Sequence, residues 1–218
     1  MPGMRYIKAI LDQWPHFIHA NLWFRKKDFG PKIFCIGYNK TGTTSLGQAL
    51  RMLGYRHASF NKRVWRDYYR NGKIDKILSY TAKFESFDDL PWLMPDMIPV
   101  LDEKFPGSKF IYLHREEEAW KRSYDQWRQK LFGEIPDLDV EVAKYREHHE
   151  FVSGYFEGRS ANEFIQLDIK DPQGFAKLSD FLGKEHIQAD FPHQNSTSNL
   201  RGRLRKRKLE KEIARRSK

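Results

Sequence analysis

The sequence predicts an α/β protein with a doubly wound, mainly parallel sheet. Short apolar runs recur along the chain, bounded by Gly, Pro and polar turn residues. They alternate with stretches of helical periodicity, and the clearest pair forms a strand, Gly-rich loop and helix across residues 32–54. The 218 residues suffice for one such domain with a sizeable core, and 39% hydrophobic against 31% charged residues is a globular composition.

In order, residues 5–24 place Ile7, Ile10, Leu11, Trp14, Ile18 and Leu22 at helical spacing, broken at Pro15 and followed by Arg25, Lys26 and Lys27. This reads as a packed flanking helix, with a membrane-surface helix as the alternative. "KIFCIGY" (32–38) is a buried parallel strand. Leu46, Ala49, Leu50 and Leu53 then mark a helix that stops at Gly54. "YRHASF" is a second strand, 62–80 a helix and "KFESF" (83–87) a weak strand. "PWLMPDMIPVLDEKF" is a Pro-punctuated helical region, and "SKFIYLHR" (108–115) is the clearest later strand. "EEEAWKRSYDQWRQKLF" opens with the acids that a helix N-terminus favours. A helix over 139–157, a strand over 162–169 and a helix in "DPQGFAKLSDFLG" complete the pattern. The organisation is a helical extension (1–31), a core domain (32–199) and a basic tail (200–218).

Composition narrows the function. The single Cys35 excludes an intrachain disulfide framework and a thiolate metal cluster, and it reads as a small buried hydrophobe. No apolar run reaches 18 residues, and Lys8, Asp12 and Pro15 interrupt any secretory leader pattern, so a soluble, reducing, cytoplasmic setting is the default. The net charge of +10 is uneven: residues 201–218 carry ten Lys/Arg against two Glu, which leaves the body nearly neutral. A nucleic-acid-binding domain is therefore not indicated. The tail is a solvated extension, or a patch for an anionic surface such as a membrane.

The loop "GYNKTGTTS" has Gly37 and Gly42 at the spacing of a Walker loop. Thr43 stands where that loop's lysine would be, and Lys40 comes early. Backbone N–H groups of Thr41, Gly42, Thr43, Thr44 and Ser45 at the helix N-terminus form a nest for a multiply charged anion. The hydroxyls of Thr43, Thr44 and Ser45 add donors, and Lys40 points its ammonium at an oxygen between two anionic groups. A nucleoside triphosphatase needs Mg²⁺ and an acid closing a neighbouring strand. "KFIYLH" instead closes on His114 and Arg115, and Ser123 follows eight residues later on the next helix. The pattern describes a ligand with two anionic centres and no required metal.

"GYNKTGTTSL" followed by "KFIYLHREEEAWKRSYDQW" resembles the sulfotransferases that use 3′-phosphoadenosine 5′-phosphosulfate (PAPS), with a P-loop fold, over residues 32–130. The resemblance implies that Lys40 and the loop hold the 5′-phosphosulfate, while Arg115 and Ser123 hold the 3′-phosphate. It makes Arg201 and Gly202 a loose counterpart of a C-terminal Arg-Lys-Gly loop. It implies sulfuryl transfer to a hydroxyl or amine of a small-molecule or glycan acceptor, a carbohydrate or glycolipid being the first expectation, with 3′-phosphoadenosine 5′-phosphate as product and no metal.

Such a transfer needs a base. Asp89 in "FESFDDLPW" takes the family's position before a Leu-Pro, with Glu85 four residues earlier and His57 in the second strand as further candidates. Asp88 faces elsewhere if the backbone is extended. Alternatively, Asp88 and Asp89 cap the helix that follows. "FPHQNSTSN" (191–199) reads as a loop closing over the nucleotide. Two other readings stay open: a P-loop kinase with a rearranged lysine, and a non-catalytic basic-tailed binding protein.

Overall fold

The structure is a computed structural model and describes residues 28–187 and 191–192. The expected helix over 5–24, most of the 191–199 loop, Arg201, Gly202 and the basic tail lie outside the described residues.

Five short strands run parallel in one sheet: β1 (Ile33–Cys35), β2 (His57–Ala58), β3 (Ser86–Phe87), β4 (Lys109–Leu113) and β5 (Phe164–Leu167), in the order β2-β3-β1-β4-β5. Among the described residues six α-helices connect or follow them: α1 (Thr43–Met52), α2 (Ile74–Thr81), α3 (Met97–Lys104), α4 (Glu117–Phe132), α5 (Leu138–Tyr155) and α6 (Gly174–Leu182). The chain leaves β1 toward one sheet edge, then crosses to the other after β3. That reversal is a topological switch point, and open α/β sheets bind ligands outside the C-terminal ends of the strands at such a point.

Alternation along the strands builds both faces. Ile33, Cys35, Ile111 and Leu113 pack with α1 and α6, whereas Phe34, Ile36, Phe110 and Tyr112 pack with α2, α3 and α5. A third cluster joins α4 to α5 through Trp120, Tyr124, Val142 and Tyr145. Cys35 is fully buried and its thiol is pushed well above its ordinary range by burial, as befits a small core hydrophobe.

The strands are shorter than their apolar runs, although backbone pairing continues past them: Ile36 N–H donates to Ile111 O and His114 N–H to Leu167 O. The expected helix over 62–80 is broken. Residues Val64–Tyr68 form a π-helical turn and Tyr69–Asn71 a 3₁₀ turn, the chain reverses at Gly72 (φ 63°), and only then does α2 begin. The capping role considered for Asp88 and Asp89 also fails. α3 starts at Met97, while the Asp89 carboxylate accepts from the N–H of Leu90, its immediate neighbour. At α4 the expected acids do cap: Glu116 accepts from the N–H groups of Glu118 and Ala119.

Candidate active site

The loop after β1 enters α1 through Gly42, whose φ of 112° lies in the left-handed region. A Cβ at Gly42 would also stand 2.5 Å from Ile169 Cδ1. α1 has no side-chain cap and no acid in its first turn, so its N-terminus keeps the positive end of its dipole unopposed. Not every expected N–H is available. Thr41 turns both its N–H and its hydroxyl to the Tyr38 carbonyl, and Ser45 N donates to Gly42 O. Gly42, Thr43 and Thr44 remain as the first-turn N–H groups that a helix leaves without internal partners.

Lys40 is one of two non-glycine residues with positive φ among the described residues (65°), a conformation that costs an L-residue about 1 kcal/mol. The strand-end Arg115 holds it there, Nη1 donating to Lys40 O at 2.9 Å. Arg115 Nε is buried and has no hydrogen-bond partner among the described residues. Ser123, buried on the inner face of α4, lies one turn beyond Trp120. The Lys40 ammonium sits 5.4 Å from the Trp127 ring centroid.

Three side chains invisible to motif reasoning fix the rest of the loop. His148 Nε2 donates to Ile36 O at 2.7 Å, and Trp120 Nε1 donates to Asn39 O at 2.7 Å. The Tyr145 hydroxyl receives Arg115 N–H, and Trp120 stacks on Tyr145 with centroids 4.5 Å apart. Burial holds the His148 imidazole below its usual protonation range, consistent with a neutral ring donating from Nε2. These partners lie 30 to 112 residues from what they hold, so no local spacing announces them.

The three base candidates separate. Asp89 lies just past β3, beside the β1 loop, half-buried and with φ 66°. Burial, and next the charge of Asp88, push its carboxyl up to about 7, against the weaker effect of the Leu90 N–H. Glu85 precedes β3 at the opposite, N-terminal edge of the sheet, where it accepts from Arg56 N and pairs with the Arg56 guanidinium. The His57 side chain is fully buried, its Nε2 3.3 Å from Asp88 Oδ1. Of the three, only Asp89 combines proximity to the loop with access to solvent. The sequence argument sought a strand-end acid at β4 alone, whereas β3, the other neighbour of β1, runs into Asp88 and Asp89. Asp88 Oδ1 lies 3.3 Å from His57 Nε2.

The family model described as "Sulfotransferase domain" matches residues 32–138 and 127–200. Among solved structures the chain is similar to a "Sulfotransferase Domain from the Curacin Biosynthetic Pathway", at 16% identity and a TM-score of 0.48, covering 78% of this chain and 80% of that one. No curated protein sequence matches.

Proposed function

The chain belongs to the sulfotransferase-domain family, and we propose that it moves a sulfuryl group from PAPS to a hydroxyl or amine acceptor. The observation that carries this reading is the Arg115 guanidinium: Nη1 donates to the carbonyl of Lys40, and Nε is buried without a hydrogen-bond partner among the described residues. In this reading one cation would link the loop to the strand end, which supports a donor with a phosphosulfate and a separate phosphate.

The residues present fit that donor. Gly42, Thr43 and Thr44 would hold the phosphosulfate through backbone N–H groups, with the hydroxyls of Thr43 and Thr44 beside them. Arg115 and Ser123 would hold the 3′-phosphate. PAPS, when bound, supplies an activated sulfuryl group whose departure leaves negative charge on a phosphate oxygen. Lys40 is the cation placed to neutralise that charge, and its fixed backbone limits reorganisation during reaction. Asp89 takes the acceptor's proton: a carboxyl that titrates near 7 is a far stronger base than one at 3.8, yet still ionised in useful fraction at neutral pH. Position and charge placement supply the catalysis.

The acceptor is a carbohydrate or glycolipid in this reading, a suggestion that comes from family resemblance. Among the described residues no helix is long and apolar enough to cross a membrane. The ten cations of the tail suit a peripheral contact with an anionic surface. Calorimetry with 3′-phosphoadenosine 5′-phosphate in EDTA tests the donor assignment. Micromolar binding without metal is expected; binding of ATP that requires Mg²⁺, with none of the bisphosphate, would favour a kinase and overturn it.

A further inference from the structure

The chain between β2 and α2 carries an aromatic pair that the core only half absorbs. Trp65 and Tyr69 stack with ring centroids 4.8 Å apart and planes 13° from parallel. Tyr69 packs against the core and donates its hydroxyl to Asp96 Oδ1 at 2.8 Å. Trp65 belongs to none of the three buried clusters and stays partly exposed. A tryptophan outside the core forgoes the burial that makes so large a side chain stabilising. This one is carried by the π-helical turn Val64–Tyr68, a rare geometry found frequently at functional sites.

The turn stands on the Asp89 side of the sheet. β2 and β3 leave the sheet together, Asp88 N–H donating to the carbonyl of Ala58, the last residue of β2. Beyond that point Asn61 Nδ2 donates to the Tyr80 hydroxyl at 3.3 Å, and the Tyr80 and Trp92 rings lie 6.0 Å apart. Trp92 N–H donates in turn to Asp89 O. With the bond from Tyr69 to Asp96, these contacts tie the aromatic turn to the segment that begins at Asp89.

The turn is also charged. Residues 62–73 hold five Lys/Arg against one acid, Asp67, a net +4 on a body that is otherwise nearly neutral. Asp67 is taken by Arg66, its immediate neighbour. Lys62, Arg63, Arg70 and Lys73 are exposed and make no ion pair among the described residues. Arg63 lies 5.7 Å from the Tyr68 ring centroid, which holds one of these cations against the turn.

We propose that Trp65 and the cations of residues 62–73 form the acceptor subsite, and that the acceptor is an anionic saccharide bearing ring carboxylates. This rests on the sulfuryl-transfer reading. The C–H face of a pyranose lies on a flat indole, and its carboxylate meets the neighbouring cations. A neutral sugar would leave those cations unused. Single-stranded nucleic acid takes successive aromatic platforms, whereas Trp65 and Tyr69 cover each other and leave one indole face outward.

Titration calorimetry of the full chain with hexasaccharides of glucuronate and of galacturonate, and with maltohexaose, reads binding without turnover. The uronates should bind at least ~10-fold tighter than the neutral sugar, and more weakly as salt rises. Trp65→Ala should weaken the uronate complex ~10-fold or more, while Trp65→Phe, which keeps a flat ring, restores most of the affinity. Lys62→Ser with Arg63→Ser should lower both the affinity and its salt dependence. Every variant should bind 3′-phosphoadenosine 5′-phosphate within about threefold of the parent, which reports an intact fold and donor site. A parent that binds the bisphosphate but no uronate overturns the subsite and leaves the sulfuryl-transfer reading standing. Uronate binding unchanged in Trp65→Ala, or an oligothymidylate bound as tightly as the uronates, also overturns it. Trp65-dependent uronate binding by a protein that binds no bisphosphate would keep the saccharide site and overturn its role as an acceptor subsite.

Discussion

Replacing Arg115 by alanine separates two losses. The first is the bond from Nη1 to Lys40 O, which holds Lys40 at positive φ. A hydrogen bond from a charged donor contributes about 1.5 kcal/mol or more, and the released backbone strain is about 1 kcal/mol. The loop then reaches its binding conformation less often, which costs every loop ligand about tenfold in affinity. The second loss applies only to ligands with a 3′-phosphate. A guanidinium–phosphate contact of about 2–3 kcal/mol corresponds to a further ~30–150-fold. Titration calorimetry with 3′-phosphoadenosine 5′-phosphate and with adenosine 5′-phosphate, on both proteins, completes a cycle. The expected result is a loss of ~300-fold or more for the bisphosphate and ~10-fold for the monophosphate. Equal losses for the two ligands would refute the contact and leave Arg115 as a loop clamp alone.

Gly42→Ala forces a side chain into a left-handed backbone and against Ile169, so unfolding in urea should show a loss of ~2 kcal/mol or more, with donor binding abolished. Trp120→Phe keeps the stack on Tyr145 but strands the Asn39 carbonyl; a stability loss of about 1–2 kcal/mol by urea titration should accompany weaker bisphosphate binding. Asp89→Asn keeps a residue tolerant of positive φ and should lower kcat by ~10²–10⁴ while bisphosphate affinity changes less than about threefold. The same variant should be more stable than the parent at pH 8, because the parent must ionise a carboxyl whose pKa folding raises. The shift from 3.8 to about 7 sets a ceiling of about 4 kcal/mol, reduced to about 2 by partial exposure, and the gap should vanish near pH 4.

What the sequence revealed followed how local each feature is. The loop was legible because Lys40, Gly42 and the donor-rich residues after it define a strand–turn–helix by spacing alone. Arg115 and Ser123 are likewise a local pattern, eight residues apart across one strand end and one helix. The segment 62–80 misled because its aromatic spacing suits a helix, yet Trp65 and Tyr69 stack on each other and a π turn replaces regular α-geometry before Gly72. The clamps from His148, Trp120 and Tyr145 were out of reach, since folding alone brings these rings to the loop carbonyls. Likewise His57 and Asp88, 31 residues apart, meet only because β2 and β3 lie side by side. Their proximity buries His57 beside Asp88, which is why the proposal turns to Asp89 as the base.

The central claim is that Lys40 and Asp89 act on a PAPS-derived sulfuryl group. Its most direct test follows conversion of PAPS to 3′-phosphoadenosine 5′-phosphate in EDTA across a panel of neutral and anionic saccharides, with parent, Lys40→Ala and Asp89→Asn proteins side by side. The expected result is acceptor-dependent product formation by the parent that falls at least ~100-fold in each variant. Turnover equal in the parent and Lys40→Ala, or phosphoryl transfer from Mg²⁺-ATP in its place, would contradict the account.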